Sequence, residues 1–274
     1  MDIFFYIILF VIGSLFGSFY TLAVYRIPKR QDITHTHSYC PNCNHKLGIL
    51  DLFPIFSYIF LGGKCRYCKQ KIRPRYLILE ILSGTVFVIF GLLLGLHYNT
   101  LTIENVAEYF FLALYFTFIV LISGIDKENK QIDKMVSMYG IVISIMYMLY
   151  LYIVEGANIY RYGIYLILYI IVLIFDTITL KRYAKNSYLT GTLLMLITMV
   201  VFTGEYVTAS AIIVTVLALA IYQLLEKLQE KKSTHKKEKS NNVKEKISIG
   251  FYLGLSNILI LIFALFYNNY IWQT

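Results

Sequence analysis

Apolar residues in this chain gather into runs of about twenty, and no other feature narrows the fold as much. A bilayer's hydrocarbon core is about 30 Å thick, the length of some 20 helical residues. Inside it every backbone N–H and C=O needs an internal partner, which a helix supplies. Eight runs fit: 3–25, 77–97, 107–125, 135–154, 162–180, 189–203, 206–225 and 249–270. The sixth is short and is expected to pair with the seventh as a hairpin through Gly204 and Glu205. Of the 274 residues 58% are hydrophobic and only 15% charged, whereas a soluble domain carries about 25% charged residues. The first run could pass for a cleaved signal peptide, but it lacks a basic start and holds Gly13, Gly17 and Ser18 inside its apolar stretch. It is read as a span. The expected architecture is an all-α polytopic membrane bundle of about eight transmembrane helices.

Basic residues set the orientation. Segment 26–76 holds ten Lys and Arg, 126–134 three, 181–187 three and 226–246 eight, while the alternate loops hold only Arg161. Excess Lys and Arg marks cytoplasmic loops, so both termini are expected outside. The net charge of +9 reflects this topology, and a nucleic-acid partner is not expected. The lipid bilayer is. Segment 226–246 reads as a charged linker, either resting on anionic headgroups or simply solvated.

All four cysteines lie in the first basic loop as Cys40-Pro-Asn-Cys43 and Cys65-Arg-Tyr-Cys68. Two C-x2-C knuckles supply the four thiolates of a tetrahedral zinc site. A cytoplasmic loop is reducing, which disfavours structural disulfides, and the βαβ context of a redox C-x2-C is missing. Every proline in the chain (Pro28, Pro41, Pro54, Pro74) falls in the same segment, so turns and short strands of a zinc ribbon are expected there. The division is then 1–25 first helix, 26–76 zinc module, 77–225 bundle, 226–246 linker and 247–274 last helix.

Residues 13–85 carry a longer pattern. It runs Gly13-Ser14-Leu15-Phe16-Gly17-Ser18-Phe19, then Tyr25-Arg26-Ile27-Pro28, the first cysteine pair, and Asp51-Leu52-Phe53-Pro54-Ile55-Phe56-Ser57-Tyr58. Gly63-Lys64-Cys65-Arg66-Tyr67-Cys68 and Arg73-Pro74-Arg75-Tyr76 with Glu80 complete it. This stretch resembles the N-terminal region of bacterial type IV prepilin peptidases, which serve type IV pili, type II secretion and competence. The likeness continues more thinly through Ile125-Asp126, Ile132 and Lys246-Ile247-Ser248-Ile249-Gly250-Phe251. It implies an intramembrane aspartic endopeptidase in a bacterial plasma membrane. Its substrates would be prepilins or pseudopilins, whose basic leader is cut at the cytoplasmic face. It also implies N-methylation from S-adenosylmethionine.

Such hydrolysis uses two carboxyl groups, one ionised as a base on water and one protonated to polarise the carbonyl. The resemblance makes Asp126 the first. The family's second stands in a Gly-x-Gly-Asp motif, matched here by Leu189-Thr190-Gly191-Thr192, so Thr192 occupies the aspartate position and Leu194 that of the motif's lysine. A hydroxyl cannot hold a negative charge near neutral pH. Asp176, within the fifth run, is a candidate replacement because an ionisable group at membrane depth is costly. Its alternative reading is a carboxylate that snorkels to the interface or pairs with Lys181 or Arg182. Asp133 is the weaker candidate, about 10 Å along from Asp126 if the intervening chain is helical. Two functions stay open: a prepilin peptidase using Asp126, or a degenerate relative that binds prepilins or assembly partners without cutting them.

Overall fold

In the computed structural model the chain is helical on either side of a small irregular module. The structure describes residues 2–34, 37–99, 101–154, 156–183, 188–233 and 247–273, without the side chains of 159, 180–183, 226–233 and 269–273. Helices run α1 Asp2–Arg26, α2 Ile49–Leu52, α3 Phe56–Phe60, α4 Arg75–Leu93, α5 Ile103–Asn129, α6 Lys134–Val154, α7 Ile159–Tyr183, α8 Tyr188–Ser233 and α9 Ile249–Gln273. Seven of these, all but α2 and α3, are long and apolar enough to cross a membrane among the described residues. The protein is a multi-pass membrane protein.

The difference between seven long helices and the eight expected spans lies in α8. Its apolar part, Tyr188–Leu225, has 38 residues, which at 1.5 Å each measure about 57 Å, nearly twice the hydrocarbon core. The helix breaks at Gly204, whose φ of 79° and ψ of 170° are not helical. A positive φ costs glycine nothing and other residues much. The break falls where the sequence pattern divides 189–203 from 206–225. Beyond it, helix continues to Ser233, into the first part of the expected linker; 234–246 lie outside the described residues.

The chain forms two compact units, one on residues up to Thr117 and one on Phe118–Ile271. In the first, α1 and α4 pack backbone to backbone. Gly13 and Gly17, four residues apart, share one face of α1. A Cβ on Gly17 would lie 2.8 Å from Glu80 Cα and from the Leu79 carbonyl oxygen, and one on Gly13 2.8 Å from the Ser83 carbonyl oxygen. Lipid tails are as apolar as leucine, so membrane helices associate through such close contact. Tyr20, fully buried, shares a hydrogen bond of 2.8 Å with Thr117 on α5.

The second unit uses polar contacts in the same way. Tyr169 on α7 donates to Ser144 on α6 at 3.0 Å and shares a 2.9 Å bond with Thr198 on α8. Leu194 packs beside Tyr169 and Val172, which is why an apolar residue suits that position. Asn257 on α9 donates to Thr203 on α8 at 3.3 Å. Helix α5 is stopped by Lys130, which has a φ of 55° and returns its N–H to the Asp126 carbonyl at 2.9 Å.

Candidate active site and metal centre

The cysteine module is two copies of one local turn. In each, the first cysteine N–H bonds the carbonyl five residues on (Cys40 to His45, 3.0 Å; Cys65 to Gln70, 2.9 Å). The residue four on returns its N–H to the cysteine carbonyl (Asn44, 2.8 Å; Lys69, 3.0 Å) and is left-handed, at φ 55° and 59°. An isolated antiparallel bridge closes each turn, Tyr39 with Lys46 and Lys64 with Lys71. These bridges are what the expected ribbon strands amount to among the described residues.

All four sulfurs lie within 4.8 Å of one another and none is in a disulfide. Cys40 and Cys68 Sγ are 3.8 Å apart, which matches the edge of about 3.8 Å for a tetrahedron with Zn–S bonds of about 2.3 Å. The residues therefore fit zinc. The backbone N–H of Gln70 and then the side-chain amide of Asn42 hold the Cys68 thiol down at about 6. At Cys43 the His45 backbone N–H acts to lower the thiol, but desolvation and the Cys40 and Cys68 sulfurs outweigh it and push it up to about 11. The thiolate is the form that binds metal, so the contacts that lower Cys68 act in the direction a metal site needs.

Two further contacts stiffen the module. Arg26 is buried and donates to the carbonyls of Asp32 at 2.9 Å and His37 at 3.3 Å. Asp51 accepts the Gly48 N–H at the start of α2 and the Arg66 guanidinium at 2.6 Å. Burial acts to raise the Asp51 carboxyl, but Arg66, the Gly48 N–H and Tyr67 outweigh it and hold it below the usual carboxylate range.

In the second unit, Asp126 sits near the end of α5 with no exposed surface. Its Oδ2 accepts the Tyr188 hydroxyl at 3.0 Å, from the first residue of α8, and the Phe251 N–H at 3.0 Å, from the first turn of α9. The neighbouring Gly250 N–H bonds the Tyr188 oxygen at 3.2 Å. First-turn amides have no partner inside their own helix, so one carboxylate oxygen caps α9. The other, Oδ1, is buried with no hydrogen-bond partner among the described residues. Gly250 makes room for the carboxylate, since a Cβ there would meet Oδ2 at 3.1 Å. Lys130 donates to Ser248, just before α9, at 2.6 Å.

The other predicted site residues are elsewhere. Asp176, on α7, accepts the Thr190 hydroxyl at 2.7 Å and stands 3.6 Å from the Lys134 ammonium. The side chains of Lys181 and Arg182, its expected partners, lie outside the described residues. Thr192 donates to the carbonyl of Tyr188, one turn back on its own helix, at 2.9 Å. Asp133 accepts the Met135 N–H at 2.8 Å and so caps α6; the helix that carries Asp126 ends at Asn129, and the left-handed Lys130 turns the chain before Asp133. The first turn of α8 thus touches both buried carboxylates, Asp126 through Tyr188 and Asp176 through Thr190. Residues two apart on a helix diverge by about 200°, so the two carboxylates lie against opposite faces of that turn, and no hydrogen bond joins them. Tyr188 was not anticipated, because nothing local in the sequence sets it apart from 24 other tyrosines.

Residues 11–94 match the family model of the bacterial peptidase A24 N-terminal domain. The chain is 34% identical over 93 residues to a prepilin leader peptidase/N-methyltransferase of Klebsiella pneumoniae, covering 32% of this chain and 41% of that protein. A protein of the same name from Vibrio cholerae is 30% identical over 157 residues, 46% of this chain and 62% of that one. Its Bacillus subtilis counterpart is 37% identical over 89 residues, 32% of this chain and 36% of that one. No solved structure matches. The chain is a relative of the type IV prepilin peptidases. The matched stretch spans less than two thirds of the length of each of these relatives.

Proposed function

We propose that this protein is a membrane-embedded endopeptidase that removes the basic leader of prepilin-like or pseudopilin substrates at the cytoplasmic membrane face. One observation carries the reading: Asp126 is buried, with one oxygen fixed by Tyr188 and the α9 amides and the other unpartnered. A carboxylate held in that way presents Oδ1 as a base. In the proposed reaction Oδ1 takes a proton from water, the water oxygen bonds to the scissile carbonyl carbon, and the proton passes to the leaving amide nitrogen as the C–N bond breaks. A protonated second carboxyl would serve as hydrogen-bond donor to the carbonyl; the Tyr188 phenol, whose one proton is donated to Asp126 Oδ2, positions that carboxylate. Asp176, ion-paired with Lys134, is assigned a structural role. Cys40, Cys43, Cys65 and Cys68 would hold zinc, which supplies a structural crosslink. The methyl transfer and S-adenosylmethionine implied by the relatives' name are assigned to no residue of this chain.

No carboxylate is hydrogen-bonded to Asp126 among the described residues, which favours a second reading, a relative that binds prepilins or assembly partners without cleaving them. Cleavage of a matched prepilin by the purified protein in detergent separates the two. Loss of wild-type cleavage in Asp126→Asn supports the peptidase. No wild-type cleavage, with activity gained in Thr192→Asp, supports the non-cleaving relative.

A further inference from the structure

Between the two cysteine pairs lies a segment to which the proposed reaction gives no role. Helices α2 and α3 form an apolar elbow. Ile49, Leu50 and Phe60 are 85%, 76% and 83% exposed, and Phe53, Phe56 and Ile59 are exposed as well. The phenylalanines make one ridge, with ring centroids 5.6 Å apart for Phe53 and Phe56 and 6.5 Å for the stacked pair Phe56 and Phe60. A contiguous apolar group of this kind marks a contact surface.

The height of the elbow is fixed. Ile55, which joins the two helices, has a φ of 63°, a region that β-branched residues rarely enter. Its N–H is held at 2.8 Å by Glu80 Oε2. Glu80 is the sixth residue of the membrane helix α4, about 8 Å from its start. The elbow is therefore pinned beside the first two turns of α4, the level at which a span meets the headgroups. Segment 26–76 carries ten Lys and Arg against Asp32 and Asp51 alone, and Lys46, Lys64, Lys69 and Lys71 are exposed.

We propose that this elbow is a lipid anchor, its Ile49, Leu50, Phe53, Phe56, Ile59 and Phe60 side chains docking into the headgroup–acyl boundary of an anionic bilayer. The occupant is lipid because the elbow is continuous with α1 and α4, which already lie in the bilayer. Aromatic and aliphatic side chains amid lysine and arginine are also the composition of interfacial helices. The basic side chains of the module meet the phosphate groups, and the thiolate cluster is held close to the membrane surface. The inference rests on the membrane reading of α1 and α4 and is independent of whether the protein cleaves anything.

The test uses the full chain, zinc-loaded, in nanodiscs containing phosphatidylglycerol. In a Trp272→Phe background, Phe60→Trp reports the elbow and Lys69→Trp reports the knuckle. The expected result is blue-shifted emission from position 60 that falls severalfold with lipid brominated high on its acyl chains, while position 69 stays red-shifted and unquenched. Emission at 60 matching that at 69 would overturn the proposal, as would blue-shifted emission that bromolipid leaves unchanged, since that means burial against protein. Should Phe60→Trp lose its zinc, Ile49→Trp is read by the same criteria.

Discussion

The four-cysteine module and the buried Asp126 are both polar sites in an apolar protein, and they are wired in opposite ways. Each pair of sulfurs sits three residues apart in one self-contained turn. The partners of Asp126 lie 62 and 125 residues away, on α8 and α9, so the site joins three helices. A locally wired site depends on the ion that links its two halves, so it should fail as a unit. A site assembled by helices that are held elsewhere should lose its chemistry by degrees and keep its shape. Gly13 and Gly17, Tyr169 and Asn257 all hold their helices without help from the groups around Asp126.

The most severe break of that contrast is Cys65→Ser. Structural zinc contributes about 10–16 kcal/mol of binding free energy that is also folding free energy, so the expected result is loss of stoichiometric zinc and protease sensitivity throughout 27–74. Zinc retained by three sulfurs in a protected module would remove the contrast. Next comes Asp126→Asn, with cleavage falling about 10²- to 10⁴-fold, the range for a lost general base. The amide oxygen can still accept from Phe251 and Tyr188, so the thermal unfolding temperature in detergent should hardly move. A large drop would make Asp126 a helix cap first and a base second. Tyr188→Phe removes one hydrogen bond to a charged group, worth about 1.5–3 kcal/mol, or about ten- to a hundredfold in kcat if the phenol acts in the reaction. Gly17→Leu tests the helix contacts alone. Overpacking against the α4 backbone should cost about 1–3 kcal/mol, read as a shift in denaturation by detergent.

The mildest effect concerns pH. The Asp51 carboxyl is depressed in the folded module, so its contribution is complete above the ordinary carboxylate range and is lost as pH falls through its lowered value. Arg66 is half exposed, and exposed pairs of this sort are worth about 0–1 kcal/mol. Arg66→Gln should therefore flatten the acid limb of module stability, measured by protease sensitivity across pH, only slightly.

What the sequence makes legible follows the same division. The apolar runs specify the long helices because the bilayer fixes their length, and the knuckles are specified by spacing because their ligands are neighbours. The break at Gly204 is visible in the pattern for the same reason. Tyr188 is not, because it meets Asp126 only after α5, α8 and α9 have packed. Thr192 drew attention through its place in a motif, yet its hydroxyl turns back to its own helix. Asp176 stands out by its depth in the membrane, and among the described residues it lies 3.6 Å from Lys134 on α6, a pairing that helix packing makes and spacing does not reveal. A helical path would put Asp133 about 10 Å from Asp126, but the left-handed Lys130 ends that helix and leaves Asp133 to start the next.

The glycine contact between α1 and α4 reaches beyond those two helices. It brings together the ends of the loop 27–74, and closing a loop of that length costs a free chain about 3 kcal/mol or more in entropy. In this protein the α1–α4 contact meets part of that cost independently of the sulfurs, which favours the two knuckles as near neighbours. The affinity of four cysteines for their ion is in this sense partly set by the absence of a side chain at Gly13 and Gly17, and a bulkier residue there should loosen the metal without touching a single ligand.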